Sequence, residues 1–196
     1  MTCPAAGLAL EGWDNGTAYI GGFLPIAVAN QNVDMVRKFQ RNEAAMGGWL
    51  LYASDLLARE GYFGEGGGRR QVESARRRAL ASAVADVRLA RGDWGPREAR
   101  SYLQHRAGVG GEEAEAIVAG CAHAPGSACA AAIGCLELFA ARDAYVRRGG
   151  AAEIQIVKFH DAMLAEGLVP PAMASQLVCG VAAHDELAAN GGRRRR

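Results

Sequence analysis

The sequence predicts an all-α fold, a single-domain helical bundle of about six to eight helices. Three observations predict it. Apolar residues recur at helical spacing, as with Met35, Val36, Phe39, Met46, Trp49, Leu50, Tyr52 and Leu56. Alanine, the best helix former, is abundant throughout. Strand-like alternation survives nowhere over more than a few residues.

Each element follows from local signals. Residues 1–20 are glycine-rich and read as an irregular N-terminus of a domain covering 1–192. The first clear helical pattern runs from about Val33 to Glu60. Gly61 to Arg70 is a flexible break, and a second helix is expected from about Gln71 to Ala90. Its basic run Arg76, Arg77, Arg78 reads as a solvated face. Asp93-Trp94-Gly95-Pro96 is a turn that opens a helix to about His105, with Pro96 in the first turn and Glu98 at the positive helix end. Gly110-Gly111 breaks the chain, and Glu112, Glu113 and Glu115 begin a short helix. Ala124-Pro125-Gly126-Ser127 is a further turn with Ser127 as N-cap, followed by an Ala-rich helix to about Arg148. Helices near 153–166 and 170–188 complete the pattern, and 193–196 form a basic tail.

Composition excludes several function classes. A net charge of +1 gives no field to gather nucleic acid, so no nucleic-acid partner is expected. Half the residues are hydrophobic, enough for a real core. The five cysteines form no CxxC pair and read as small buried hydrophobes in a reducing compartment. The N-terminus shows neither a basic n-region nor a long apolar h-region, and no stretch reaches the roughly 20 apolar residues of a membrane span. A cytoplasmic protein without a membrane partner is the expectation.

Five local patterns then appear in order. Gly47-Gly48-Trp49-Leu50-Leu51-Tyr52-Ala53-Ser54 is the clearest early one. Asp86, followed by Trp94, is a weaker one. Pro125-Gly126-Ser127-Ala128-Cys129-Ala130-Ala131-Ala132-Ile133-Gly134 and Phe159-His160-Asp161-Ala162-Met163-Leu164, with Gly167, Pro170 and Met173, are together fairly specific. Gly21 to Val28 is the least certain, sharing only Pro25. In this order they resemble the bacterial family labelled domain of unknown function 885, whose members look like zinc metallopeptidases with HExxPGHH, EGWALYAE, VDTGLH, PGxALSYKxG and FHDxxLxxGxxP motifs. The resemblance covers roughly Gly21 to Leu177 and only the C-terminal third of typical members.

An HExxH helix binds zinc because histidines four apart share one helical face, and the intervening Glu serves as general base. A third ligand leaves one position open for water. The resemblance places those family positions on Gly21, Gly22, Ala27, Val28 and Gly47. The motif histidine falls on Ala90, and Ser-Tyr-Lys falls on Ala130, Ala131 and Ala132. No HxxxH occurs among His105, His123, His160 and His184. The resemblance therefore implies no metal, no other cofactor, and no zinc hydrolase. Architectural positions are kept while chemical ones have become Gly or Ala.

Asp86, Tyr52 and His160 remain as candidates for chemistry. Each has a structural reading beside it: an ion pair with Arg88 or Arg91 for Asp86, a core aromatic for Tyr52, and capping with packing for His160. Cys129, near a helix N-terminus, is the thiol with a reactive reading. Two functional readings stay open. Replacement of ligands by Gly and Ala leaves an apolar pocket, expected around Gly47, Trp49, Tyr52, Asp86, Ala90 and Ala131, for a hydrophobic small molecule. Such a pocket either binds that molecule or shapes a metal-free cyclisation or isomerisation in secondary metabolism. The alternative is a non-catalytic interaction protein that pairs with a related protein or with itself as a homo-oligomer.

Overall fold

In the computed structural model the described residues are 42–59, 61, 67–148 and 152–179. They form seven α-helices and no strand. These are α1 (Glu43–Arg59), α2 (Gly67–Ala90), α3 (Pro96–Ala107), α4 (Gly111–His123), α5 (Ser127–Arg148), α6 (Ala152–Ala165) and α7 (Pro171–Cys179). The all-α expectation is met. Gly21 to Val28, the expected irregular N-terminus, the start of the first expected helix before residue 42, the expected continuation of the last helix to 188 and the basic tail lie outside the described residues.

Helix starts obey local chemistry. The Asn42 side chain accepts the Ala45 N–H at 2.8 Å and caps α1. Glu98 reaches back to the Gly95 N–H at 2.9 Å, with Pro96 in the first helical turn of α3. Gly108 closes α3 at φ 70°, a left-handed conformation that glycine adopts without penalty. Pro170 offers its carbonyl to the N–H groups of Met173 and Ala174 at the start of α7.

The chain divides into two compact units. The second unit, Ala53–Ile133, is built on α2, α3 and α4, which pack on one another. Its core is mostly alanine, with Ala81, Ala85, Ala99 and Ala114 around Leu103 and Val109. Such small side chains let helices approach closely at low entropy cost. Trp94 and Tyr102 pack against this core with ring centroids 4.8 Å apart. Two arginines of the basic run are paired: Arg76 with Asp55 at 2.8 Å and Arg78 with Glu113 at 2.9 Å.

The first unit holds the described residues up to Tyr52 and from Gly134 onward. Its core centres on Tyr52 and Phe159, both fully buried. There α1 and α5 meet backbone to backbone at Gly48 and Gly134. Glu137, buried in α5, accepts the Ala172 N–H at 3.1 Å and so holds the start of α7.

Candidate functional site

The first unit brings three predicted residues together. Tyr52 and Trp49 lie on α1, and His160 lies on α6. The Tyr52 hydroxyl is 2.7 Å from His160 Nε2. Trp49 closes over both, with its ring centroid 5.7 Å from Tyr52 and 5.7 Å from His160. Phe139 of α5 meets the Tyr52 ring edge-on at 4.8 Å. The Arg142 guanidinium completes the cluster beside the Tyr52 hydroxyl and binds Asp143 through Nε and Nη2.

The electrostatics decide who donates. Burial holds the His160 imidazole below its ordinary value, and the Arg142 charge pushes the same way. Burial likewise drives the Tyr52 hydroxyl well above its ordinary value, against the pull of Arg142. Both groups are therefore neutral near pH 7, and Tyr52 donates its O–H to the Nε2 lone pair. A neutral pair inside an aromatic cage is a structural bond. The cavity beside it, lined by residues including Trp49, Met163 and Pro171, holds about 20 Å³, room for about one water.

This pair predicts a stability profile with two limbs. His160 resists protonation when folded, so the unfolded chain binds the proton first as pH falls through about 6.5. Stability should be full above that pH and should fall below it. Tyr52 resists ionisation when folded, so stability should hold below about pH 10 and fall above it. Urea midpoints across this range check both limbs. His160→Gln should flatten the acid limb and Tyr52→Phe the alkaline one. Tyr52→Phe should also cost about 1–2 kcal/mol at pH 7, because His160 loses its donor. Unchanged limbs in both variants would dismiss the pair as a stabilising contact.

Asp86 belongs to the second unit and is 1% exposed. It makes no ion pair with Arg88 or Arg91. Those two arginines both reach Asp93, at 2.9 and 3.3 Å. Asp86 instead accepts the Gly126 N–H at 2.8 Å and the Cys129 N–H at 3.2 Å. The helix start that Ser127 was expected to cap is thus held by a carboxylate 40 residues upstream. Cys129, the thiol with a reactive reading, lies at that helix end with its backbone N–H on the Asp86 carboxylate. Nearby Cys121 has its thiol pushed up by burial and then by Asp86. Cys121, Cys129, Cys135 and Cys179 form no disulfide with one another.

The six expected pocket residues are divided between the two units. Gly47, Trp49 and Tyr52 belong to the first unit, and Asp86, Ala90 and Ala131 to the second. Ala90 is exposed at the last position of α2. No group of three or more His, Cys, Asp or Glu side chains is placed to hold a metal ion among the described residues. Sequence reasoning missed a different feature, a surface groove of about 480 Å³ between α3 and α4. Its signal was faint: small residues Ala119 and Ala122 one turn apart on α4.

The motif residues have physical reasons to be what they are. Gly126 sits at φ 87° in the turn before α5, and Gly167 at φ 77° ends α6. Gly134 lies against the Ala44 backbone. These motifs and this all-α architecture define a family, and the comparison with family models names it. Residues 21–178 match the family described as bacterial protein of unknown function (DUF885), and the chain belongs to it. No curated protein and no solved structure matches the chain.

Proposed function

We propose that this chain is a metal-free, non-hydrolytic member of its family, answering to the C-terminal third of longer zinc-peptidase-like relatives, and that it acts by binding a hydrophobic small molecule. The observation that carries the reading is the chemistry of the donor set. The positions aligned with the zinc ligands and the general base are Gly21, Gly22, Ala27, Val28 and Gly47. Their side chains bear no nitrogen, oxygen or sulfur, so they do not fit zinc. The polar residues that survive are engaged in holding the fold. Tyr52 bonds His160, and Asp86 bonds two backbone N–H groups. That occupation favours binding over catalysis. The groove between α3 and α4 supports the ligand half of the reading, since its 480 Å³ lies within the range of small-molecule sites.

A second reading, a homo-oligomer or a partner of a related protein, draws on α2. Leu80, Val84 and Val87 are 43%, 42% and 38% exposed at helical spacing on one face. The cellular setting in both readings is the cytoplasm. No single described helix is long and apolar enough to cross a membrane, although α4 and α5 pass together as a bent pair on length and composition alone.

The test is the metal content of purified, dialysed, untagged protein by mass spectrometry. The expected result is zinc far below one per chain. Zinc near one per chain would overturn the metal-free reading and would call for peptidase and esterase assays.

A further inference from the structure

The groove between α3 and α4 is lined by side chains of two chemistries. Pro96, Val118, Ala119 and Ala122 give it an apolar lining. Arg97, Arg100 and Glu115 supply the charged groups. Glu115 is bound by the Arg100 guanidinium, so those two charges cancel locally. Arg97 has no ion-pair partner among the described residues. The groove therefore carries one uncompensated cation at the edge of an apolar strip.

We propose that this groove takes an amphipathic monoanion, its carboxylate on Arg97 and its apolar chain along Pro96, Val118, Ala119 and Ala122. The proposal rests on the small-molecule reading above and gives it a ligand class. Three features of the groove argue for a carboxylate. A guanidinium presents paired N–H donors that match a carboxylate's two oxygens. An apolar chain alone would use the strip but leave the Arg97 charge unmatched. A dianion is disfavoured, because Glu115 lines the same groove and Arg100 is already committed to it. The small side chains Ala119 and Ala122 leave room along α4 that larger residues would fill.

The experiment is a backbone-amide NMR titration of the full chain with decanoate and, separately, with decanol, both below their micelle or solubility limits. Decanoate is expected to shift amides of 96–100 and 115–122. Arg97→Gln should weaken decanoate roughly fivefold, the scale of one exposed charge pair, and leave decanol unchanged. Arg106→Gln, on α3 but outside the groove, should leave both unchanged. Ala119→Phe, an exposed substitution, should block both ligands. Equal affinity for decanol and decanoate, with no effect of Arg97→Gln, would overturn the anion assignment and leave the small-molecule reading standing. Absence of shifts in α3 and α4 with both probes would overturn the assignment and remove the groove from the small-molecule reading as well.

Discussion

Gly134→Ala should destabilise the protein by about 3 kcal/mol, at the upper end of overpacking substitutions. A Cβ at residue 134 would lie 1.9 Å from the Ala44 carbonyl oxygen and 2.6 Å from its carbon. Both atoms are backbone, so no side chain can rotate away. The opposite face of the contact is equally tight: a Cβ on Gly48 would meet the Gly134 and Cys135 backbone at 2.7 and 2.8 Å. The helices must separate, and the shift would be felt at Tyr52 one turn from Gly48. For a chain of this size a loss of about 3 kcal/mol lowers the melting temperature by roughly 6–12 °C. Gly120→Ala is the matched control. It lies inside α4 with nothing within 4 Å of a new Cβ. Removing a helical glycine there should raise stability by about 0.5–1 kcal/mol. Opposite signs at the two positions are the expected result of thermal melts. A neutral Gly134→Ala would mean that α1 and α5 do not touch there.

The local signals carried most of the fold. Glycine and proline mark helix ends because backbone conformation there depends on the residue itself. Gly108 and Gly167 are left-handed where α3 and α6 stop, and Pro96 and Pro171 open α3 and α7. Boundaries missed by a few residues where the ending is set otherwise. The second helix starts at Gly67 rather than near Gln71, through glycines that propensity reads as a break. The third runs to Ala107, buried in the core, rather than to His105. Partnerships across the chain were not legible. Asp86 has Arg88 and Arg91 close by in sequence, yet its partners lie 40 and 43 residues downstream. Tyr52 and His160 were each marked by a family motif, but nothing local joins residues 108 apart. The division into two compact units was equally hidden, because α1 and α5 run through both without a break in pattern. Of the site, the sequence marked Tyr52, Asp86 and His160 as polar candidates within the motifs. It did not show what these polar groups hold.

Asp86→Ala should cost about 3 kcal/mol, and Asp86→Asn somewhat less. The Asp86 side chain is the most deeply buried charged group among the described residues, and its two oxygens serve the Gly126 and Cys129 N–H groups. Alanine would take the charged acceptor from both N–H groups, each bond worth about 1.5–3 kcal/mol, and would leave a small void. It would also remove the negative charge from the positive end of a 22-residue helix. Asparagine fills the space but keeps one acceptor oxygen. Its amide nitrogen would face the second N–H, donor against donor, so only one bond is recovered. The order wild type, Asn, Ala in urea midpoints is therefore the expected outcome. An Ala variant within 1 kcal/mol of wild type would mean that the turn before α5 is held by something else. The order also separates two roles for this residue. A proton-transferring Asp86 would tolerate asparagine structurally and lose only activity, whereas a helix anchor loses stability in both variants. Gly126, whose φ of 87° suits glycine, turns its N–H toward the Asp86 carboxylate of α2. The Pro125-Gly126 turn and the buried Asp86 carboxylate are thus two halves of one helix start, joined through the Gly126 and Cys129 N–H groups.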